Sequence, residues 1–354
     1  MDSLSELLSS KLQKRSDSGA LRFLNATQFK CDFYSNDYLG LANQKTSTTS
    51  SSFSGSGSRL ISGTSQNSLN TEYFLAKTWK SEAALIFNSG YDANVGLIST
   101  IANRNTTIIY DEHIHASARD GIVLSKSKAL KFRHNDLNHL NELLSKTKGV
   151  CIVLVESIYS MHGDFCDLEL CAEICASHRA HLIVDEAHAG GVFGKTGAGR
   201  VQELGLEKAV FARLITFGKG LGSHGACILG SQLLIDSLIN FARTFIYTTA
   251  LPESAYQRIK TLVETVDFSE KQSQLQKNIA LFRSDDTQLL SPIQIWKPTE
   301  INDLKEKELL LKQENIGVKA IYPPTVKKGE ERLRICIHTF NTKEEIDRLK
   351  SILY

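Results

Sequence analysis

Six short runs of mainly apolar residues recur between positions 83 and 230, and each ends in a polar or glycine-rich stretch. The runs cover residues 83–87, 107–110, 150–155, 181–184, 213–216 and 226–229. Apolar residues without strict alternation are typical of strands that are buried on both faces of a parallel sheet. The pattern therefore predicts a mainly parallel sheet built from this part of the chain.

Apolar residues at helical spacing fill several of the gaps between these runs. Leu137, Leu140 and Leu144 predict one helix, and a second is expected around 234–242. Strands that alternate with helices are typical of an α/β fold, in which parallel strands are joined by right-handed crossovers.

The distribution of proline predicts a second domain. All five prolines lie after residue 251, which supports a separate C-terminal domain that begins near residue 266. We expect it to contain a helix around 304–311, a strand over 332–337 and a final helix around 346–352.

Polar side chains crowd the carboxyl ends of five predicted strands. The segments are Asn88-Ser-Gly-Tyr91, Asp111-Glu-His-Ile-His115, Glu156-Ser-Ile-Tyr-Ser160, Asp185-Glu-Ala-His188 and Thr216-Phe-Gly-Lys219. Ligands of open α/β sheets bind at this edge, so the crowding predicts an enzyme site there.

Lys219 and Asp185 are the sharpest candidates for chemistry. Lys219 is the only lysine among small and apolar residues after a buried strand, where desolvation would lower its pKa and allow a Schiff base. Asp185 follows an apolar strand and could hold the pyridine nitrogen of pyridoxal phosphate. The alternatives are a surface lysine in a glycine-rich turn and an aspartate that caps a helix.

The histidines allow two interpretations. His113, His115, Asp185 and His188 could bind a metal ion, as in a metal-dependent hydrolase. With pyridoxal phosphate instead, His115 would stack on the cofactor ring and His188 would bond its phenolic oxygen. His162 is expected to be structural or exposed.

A phosphate group would suit the segment Ser89-Gly90-Tyr91, which opens a predicted helix with free backbone N–H groups. The hydroxyls of Ser160 and Thr216 could add contacts. The glycine-rich segment 55–64 is not a Walker loop, because it lacks the Gly-Lys-Ser/Thr that such a loop requires. The serine-rich run at 46–58, taken alone, predicts a flexible linker.

Composition limits the function classes. Lys plus Arg (41) nearly balance Asp plus Glu (39), which gives no reason to expect a nucleic-acid or membrane partner. The seven cysteines include no Cys-x-x-Cys pair, and those at 171 and 175 share a predicted helix face with Leu168, so packing is favoured over metal binding. With no long apolar stretch and no targeting pattern, a cytoplasmic protein is expected.

Several motifs together resemble one family, the α-oxoamine synthases. They are Ser35-Asn-Asp-Tyr-Leu-Gly40, Gly55-Ser-Gly-Ser-Arg-Leu-Ile-Ser-Gly63, Asn88-Ser-Gly-Tyr-Asp-Ala-Asn94, Ile183-Val-Asp-Glu-Ala-His188, Thr216-Phe-Gly-Lys219 and Phe245-Ile-Tyr-Thr-Thr-Ala-Leu-Pro252. These enzymes condense an amino acid with an acyl thioester. The resemblance runs from about residue 18 to the C-terminus and keeps the family's order.

The resemblance implies a fold-type I, pyridoxal phosphate-dependent transferase. It implies an N-terminal arm (1–37), a large mainly parallel-sheet domain that binds the cofactor (38–265) and a smaller α+β C-terminal domain (266–354). The catalytic residues would be Lys219, His115 and Asp185. The residues expected to bind the cofactor are Gly90, Tyr91, Glu156, Ser160, Asp185, His188, Thr216, Lys219, Thr248 and Thr249.

The resemblance also implies the substrates. Arg334 would clamp the amino-acid carboxylate, and the other substrate contacts would be Arg22, Asn36, His115 and Thr325. The element Ile321-Tyr-Pro-Pro-Thr-Val326 resembles the members that join L-alanine to pimeloyl-CoA or pimeloyl acyl carrier protein in biotin biosynthesis.

Other outcomes stay open beside this expectation. The chain could be an α-oxoamine synthase that uses glycine or serine with a different acyl-CoA, the metal-dependent hydrolase described above, or a catalytically dead scaffold. The family places its site at a homodimer interface, where Thr248 and Thr249 could reach the partner's phosphate. No metal is expected under the favoured interpretation.

Overall fold

A computed structural model describes residues 3–17, 21–24, 26, 28–46, 54–283 and 291–354. Its strands are β1 (Cys31–Asp32), β2 (Ala83–Phe87), β3 (Thr106–Asp111), β4 (Lys128–Phe132), β5 (Val150–Glu156), β6 (His181–Asp185), β7 (Ala212–Thr216), β8 (Ala226–Gly230), β9 (Ile293–Trp296), β10 (Ile316–Gly317), β11 (Lys319–Ile321) and β12 (Arg332–Cys336). Its helices are α1 (Leu4–Asp17), α2 (Gln66–Thr78), α3 (Gly90–Ile101), α4 (Ala116–Ser125), α5 (Leu137–Ser145), α6 (Leu168–Ser177), α7 (Arg200–Glu203), α8 (Gln232–Phe241), α9 (Arg243–Ile246), α10 (Glu253–Thr265), α11 (Phe268–Arg283), α12 (Ile301–Gln313) and α13 (Lys343–Leu353).

Seven strands form the large sheet in the order β2-β8-β7-β6-β5-β3-β4. All six of the strands predicted from apolar runs are present, and the strands from β3 to β7 pair in parallel. Strand β8 departs from the parallel arrangement, because it runs antiparallel to both β2 and β7. The mainly parallel α/β fold is confirmed.

The apolar pattern missed strand β4. Its sequence is Lys-Ala-Leu-Lys-Phe, and it lies at the edge of the sheet beside β3 with mostly exposed or half-buried side chains. An edge strand needs no continuous apolar run, because only one of its sides pairs and less of its surface is covered. The runs that were predicted belong to buried strands.

A second, antiparallel sheet in the order β11-β12-β9 lies in the C-terminal part of the chain. The helix expected around 304–311, the strand at 332–337 and the final helix all correspond to elements of the structure. One apolar core joins residues from both ends of the chain, including Phe33, Leu275 and Leu333. The division into 1–37, 38–265 and 266–354 stays a prediction.

The glycine-rich segment after the serine run is packed, not loose. Residues 47–53 of the run lie outside the described residues, but Ser58 forms a β-bridge with Thr249. A Cβ atom on Gly63 would lie 2.5 Å from both the Cβ of Ala250 and the carbonyl oxygen of Gly57. The linker expectation is therefore wrong for the described end of this run.

The cysteines behave as packing residues. All seven are free and buried, and Cys171 and Cys175 lie with Leu168 on the inward face of α6. None of the described helices is long and apolar enough to cross a membrane.

A buried ion pair ties the glycine-rich segment to the large sheet. The Arg59 guanidinium binds both carboxylate oxygens of Glu72 in α2, at 2.8 and 2.9 Å. Glu72 also accepts a hydrogen bond from the backbone N–H of Ile86 in β2. Both charged side chains are more than 90% buried, so each depends on the other for its charge compensation.

We expect Glu72→Gln to lower the free energy of unfolding by about 3–5 kcal/mol, because it leaves a buried guanidinium without its counter-charge. Chemical denaturation followed by circular dichroism measures the change. The matched control is Glu142→Gln, which removes the partner of Lys146 from an exposed pair and should have a far smaller effect. Equal effects in the two variants would show that the buried pair does not stabilise the fold.

Candidate active site

A cavity of about 260 Å³ opens at the carboxyl edge of the large sheet. The predicted site residues that line it are Gly90, Tyr91, His115, Glu156, Asp185, His188, Thr216 and Lys219. These residues come from the ends of β2, β3, β5, β6 and β7 and from the loops and helices that follow them. The sheet thus gathers into one place the side chains that the sequence scatters over about 130 positions.

Lys219 lies half-buried in this cavity beside His188. Its Nζ is 2.9 Å from Nε2 of His188. Desolvation lowers the pKa of Lys219, although the negative charge of Asp185 opposes the shift. Burial and the charge of Lys219 lower the pKa of His188, so that ring is neutral at pH 7.

Asp185 is held by two hydrogen bonds at the end of β6. Its Oδ2 accepts from Nδ2 of Asn94 at 2.8 Å, and its Oδ1 accepts from the backbone N–H of Ala187 at 2.9 Å. The sequence analysis did not assign Asn94, although it lies one helical turn after Gly90 on α3. That spacing was the signal that could have found it.

Glu156 faces Asp185 across the strand pair β5–β6, in register. Burial and the nearby charge of Asp185 raise the pKa of Glu156 well above its usual range. Its Oε1 is buried and has no hydrogen-bond partner among the described residues. A neutral carboxyl group with an unused oxygen therefore lies in the floor of the cavity.

His115 stands at the N-terminus of α4, with its ring exposed to the cleft. Its Nδ1 is 2.7 Å from the hydroxyl of Ser117, which in turn accepts from Asn94 at 3.0 Å. Partial desolvation lowers the pKa of His115, while the charge of Asp185 opposes the shift. Ser117 was not predicted as a site residue.

The N-terminus of α3 offers backbone donors to an anion. Ser89 caps the helix, and a Cβ on Gly90 would lie 2.5 Å from Cγ2 of Thr216. Only glycine lets the helix start this close to the strand end. A phosphate at this position would meet free N–H groups and the positive end of the helix dipole.

Arg334 lies outside the cavity lining and collects two other predicted residues. Its Nη2 donates to Oδ1 of Asn36 at 3.0 Å, and its Nε donates to the carbonyl oxygen of Ser160 at 2.6 Å. The carbonyl oxygen of Ser160 binds Arg334, and the role expected for its hydroxyl with the cofactor stays a prediction. The buried guanidinium is thereby oriented before any substrate arrives.

Besides Arg334, Asn36 and Ser160, four further predicted residues are not among those that line the cavity. Arg22 and Thr325 are exposed on the surface. Thr248 and Thr249 lie beside the cleft, where Asn88 Nδ2 donates to Thr248 Oγ1 at 3.3 Å and to the carbonyl oxygen of Thr249 at 2.6 Å. Their proposed roles with substrate or partner stay predictions.

The four metal ligands of the hydrolase alternative are not assembled. His115, Asp185 and His188 line the cavity, but His113 does not. Within the described ranges, the imidazole group that could hold a metal ion consists of His113, His134 and His162. The ligand set predicted for the hydrolase was therefore wrong. His162 belongs to a side-chain cluster that the sequence analysis did not anticipate.

Tyr38 is the most important residue that the sequence analysis left unassigned. Its hydroxyl donates to Oδ1 of Asn36 at 3.0 Å and lies 2.7 Å from Nδ1 of His188. Because its single proton goes to Asn36, Tyr38 accepts the proton of His188 Nδ1. His188 then presents an unprotonated Nε2 to Lys219. Tyr38 lies within the quoted motif Ser35–Gly40, which was the available signal.

The chain matches a model of the family "Aminotransferase class I and II" over residues 30–353. It is 36% identical over 339 residues to an 8-amino-7-oxononanoate synthase from Marinobacter nauticus, covering 90% of this chain and 84% of the relative. It is 37% identical over 340 residues to one from Cellvibrio japonicus, covering 91% of this chain and 85% of the relative.

Solved structures share the fold. The chain superposes on a structure of SPT with a PLP internal aldimine with a TM-score of 0.89 and 25% identity, covering 100% of this chain and 98% of the other. The 8-amino-7-oxononanoate synthase of Francisella tularensis gives a TM-score of 0.75 and 28% identity, covering 91% of this chain and 96% of the other.

We expect Tyr38→Phe to release His188 from its Nδ1-protonated form, because the variant removes the oxygen that accepts that proton. Nitrogen NMR of the histidine rings should show Nδ1 protonated in the wild type and a mixture of tautomers in the variant. Tyr256→Phe is the control, since it removes another buried hydroxyl, near Arg59, and should leave the His188 signals unchanged. Identical His188 signals in Tyr38→Phe and wild type would contradict this account.

Proposed function

Because the chain belongs to the aminotransferase class I and II family, and within it to the 8-amino-7-oxononanoate synthases, we propose that it condenses L-alanine with a pimeloyl thioester. The thioester would be carried by coenzyme A or by an acyl carrier protein. The enzyme is a pyridoxal phosphate-dependent acyltransferase of biotin biosynthesis. The observation that carries the proposal is the convergence of Lys219, Asp185 and His115 in one cavity, together with a buried Arg334 that Asn36 orients.

The residues of the cavity fit pyridoxal phosphate. Lys219 would bind the cofactor through Nζ, and the carboxylate of Asp185 would pair with its pyridine nitrogen. His115 would lie against the ring, and the N-terminus of α3 at Gly90 would hold the phosphate. When bound, the cofactor withdraws electrons from the amino acid's Cα and makes its proton acidic.

Lys219 would act as the base that takes the Cα proton of alanine. Its lowered pKa increases the fraction of neutral amine at a given pH, which is the form that accepts a proton. Nε2 of His188 lies within hydrogen-bonding distance of Nζ and would accept a hydrogen bond from it. Asn94 and Ala187 hold the Asp185 carboxylate in place throughout.

Arg334 would bind the carboxylate of alanine. A guanidinium that is already fixed by Asn36 and Ser160 loses little further side-chain entropy when it binds a carboxylate. The carboxylate bound here is the group lost as carbon dioxide after the new carbon–carbon bond forms. Asn36 would thus serve the substrate through Arg334.

A homodimer would complete this site. Large apolar side chains are exposed in the described part of the chain: Leu60, Leu69 and Tyr73 line one pocket with Phe245, and Ile61 and Tyr247 are exposed next to these residues in sequence. Exposed apolar residues in such a group mark an interaction surface. Thr248 and Thr249 adjoin it, so a partner subunit seated there would receive them near its own phosphate site. The cytoplasm is the proposed location.

Lys219→Ala should lower turnover by at least about 10³-fold, because it removes both the cofactor anchor and the base. The variant should also lose the visible absorbance band that borohydride removes from the wild-type holoenzyme. Lys195→Ala, at an exposed lysine between β6 and α7, should retain both properties. Wild-type turnover in Lys219→Ala would overturn the assignment of the catalytic lysine.

Purified enzyme should be active with L-alanine and pimeloyl-CoA or pimeloyl acyl carrier protein. Carbon dioxide and free thiol should be released in equal amounts, because both leave in one condensation. Glycine or serine with acetyl-CoA or palmitoyl-CoA should give little product. Activity with glycine and acetyl-CoA alone would refute the substrate proposal but not the family.

A further inference from the structure

Three histidine rings form a cluster next to the proposed active site but outside its cavity. The ring centroids of His113 and His134 are 4.2 Å apart, and those of His113 and His162 are 4.4 Å apart with nearly parallel planes. One nitrogen of each ring lies within 4.8 Å of one nitrogen of each of the others. All three side chains are half-buried.

The sheet topology explains why these rings meet. His113 follows β3, His134 follows β4 and His162 lies in the turn after β5, and those three strands are neighbours in the order β5-β3-β4. Their carboxyl ends lie at the same edge as the cavity, further along the sheet. This is the position in which open α/β sheets gather ligands.

The cluster contains an unusual group of unused polar atoms. Nδ1 of His113, Nδ1 of His162, Oδ1 of Asp164 and Oδ1 of Asn135 are all buried and have no hydrogen-bond partner among the described residues. Buried polar atoms normally have hydrogen-bond partners, so four unpaired ones close together indicate a place where an ion can bind. Nitrogen and carboxylate oxygen atoms are the donors that bind zinc.

One of the two hydrogen bonds of His134 is of the kind that supports a metal-binding histidine. Its Nδ1 is 2.9 Å from Oδ1 of Asp111, and its Nε2 is 2.6 Å from Oδ2 of Asp164. Metal-bound histidines usually donate the second ring nitrogen to a carboxylate, which orients the ring. If Nε2 binds the ion, Asp111 keeps that supporting bond and Asp164 is released toward the metal.

We propose that His113, His134 and His162 bind one divalent transition-metal ion, for which zinc is the best match, at a site separate from the cofactor cavity. Zinc–nitrogen bonds of ~2.0–2.1 Å in tetrahedral geometry place ligand atoms about 3.4 Å apart. The three nitrogens therefore need to approach by at most about 1.4 Å, which ring rotations can supply. Asp164 or water would fill the fourth position.

The ion would stiffen the turn that supports Arg334. His162 lies two residues after Ser160, whose carbonyl oxygen accepts from Arg334, and one residue after Met161, whose carbonyl oxygen accepts from Arg332 at 3.3 Å. The turn is tight, because the N–H of Gly163 bonds the carbonyl oxygen of Tyr159 at 2.8 Å. A metal at His162 would thus link the ends of β3 and β4 to the support of that arginine.

The test uses untagged full-length holoenzyme that has been stripped with a chelator and dialysed against zinc chloride. Elemental analysis should find one zinc ion per chain in the wild type and in the control His178→Asn, which changes a half-buried histidine at the C-terminal end of α6, outside the cluster. His162→Asn and His113→Leu should bind zinc at least about 10- to 100-fold more weakly, because removal of a ligand costs no less than removal of a group that only supports a ligand. Circular dichroism and the cofactor absorbance show whether each variant is folded and loaded.

Two results would overturn the site: a wild type that retains no zinc, or a His162→Asn protein that retains as much as the wild type. Cobalt substitution of the wild type gives a check that needs no variant. X-ray absorption should then report three imidazole ligands, and a cobalt shell without imidazole would also refute the proposal. Zinc content does not depend on turnover, so these outcomes are independent of the proposed reaction.

Discussion

Glu156 and Asp185 end two neighbouring parallel strands in the same register. The organisation of the cavity depends on the difference in how readily these two carboxyl groups ionise. Asp185 accepts hydrogen bonds from Asn94 and from a backbone N–H. Glu156, fully buried beside it, has a raised pKa and an unused oxygen. Two adjacent negative charges in this floor would repel each other, so the hydrogen bonds that favour one carboxylate also disfavour ionisation of the other. Both carboxyl groups lie close enough to Lys219 to influence the pKa of its amine.

Much of the fold could be predicted because buried strands leave a clear mark in the chain. The runs at 83–87 and 150–155 are apolar because both of their faces are covered. The direction of β8 could not be deduced in the same way, since a buried antiparallel strand carries the same apolar residues. Strand β4 was missed because it pairs on one side only, so its lysines face solvent at no cost.

Some residues of the candidate site could be predicted from the sequence, and others could not. Lys219, Asp185 and His115 could be found because each follows a strand directly, and the topology of an open sheet brings strand ends together. Tyr38 could not be placed from its own surroundings, because it reaches His188 across 150 positions of sequence. The histidine cluster was hidden for another reason. His113 and His115 are close in sequence, yet only His115 lines the cavity, and partners of His113 come from two other strand ends.

The pairing of β1 with β10 has a consequence for how this chain matures on the ribosome. Cys31 and Asp32 pair with Ile316 and Gly317, and Asn36 binds Arg334, so this N-terminal segment is completed by residues that are made about 285 positions later. At roughly 5–20 residues per second, synthesis leaves the apolar side chains near β1 uncovered for many seconds. The nascent chain therefore has an extended period in which the region around β1 can be bound by chaperones, and the contact between Asn36 and Arg334 forms only after that later segment has been made.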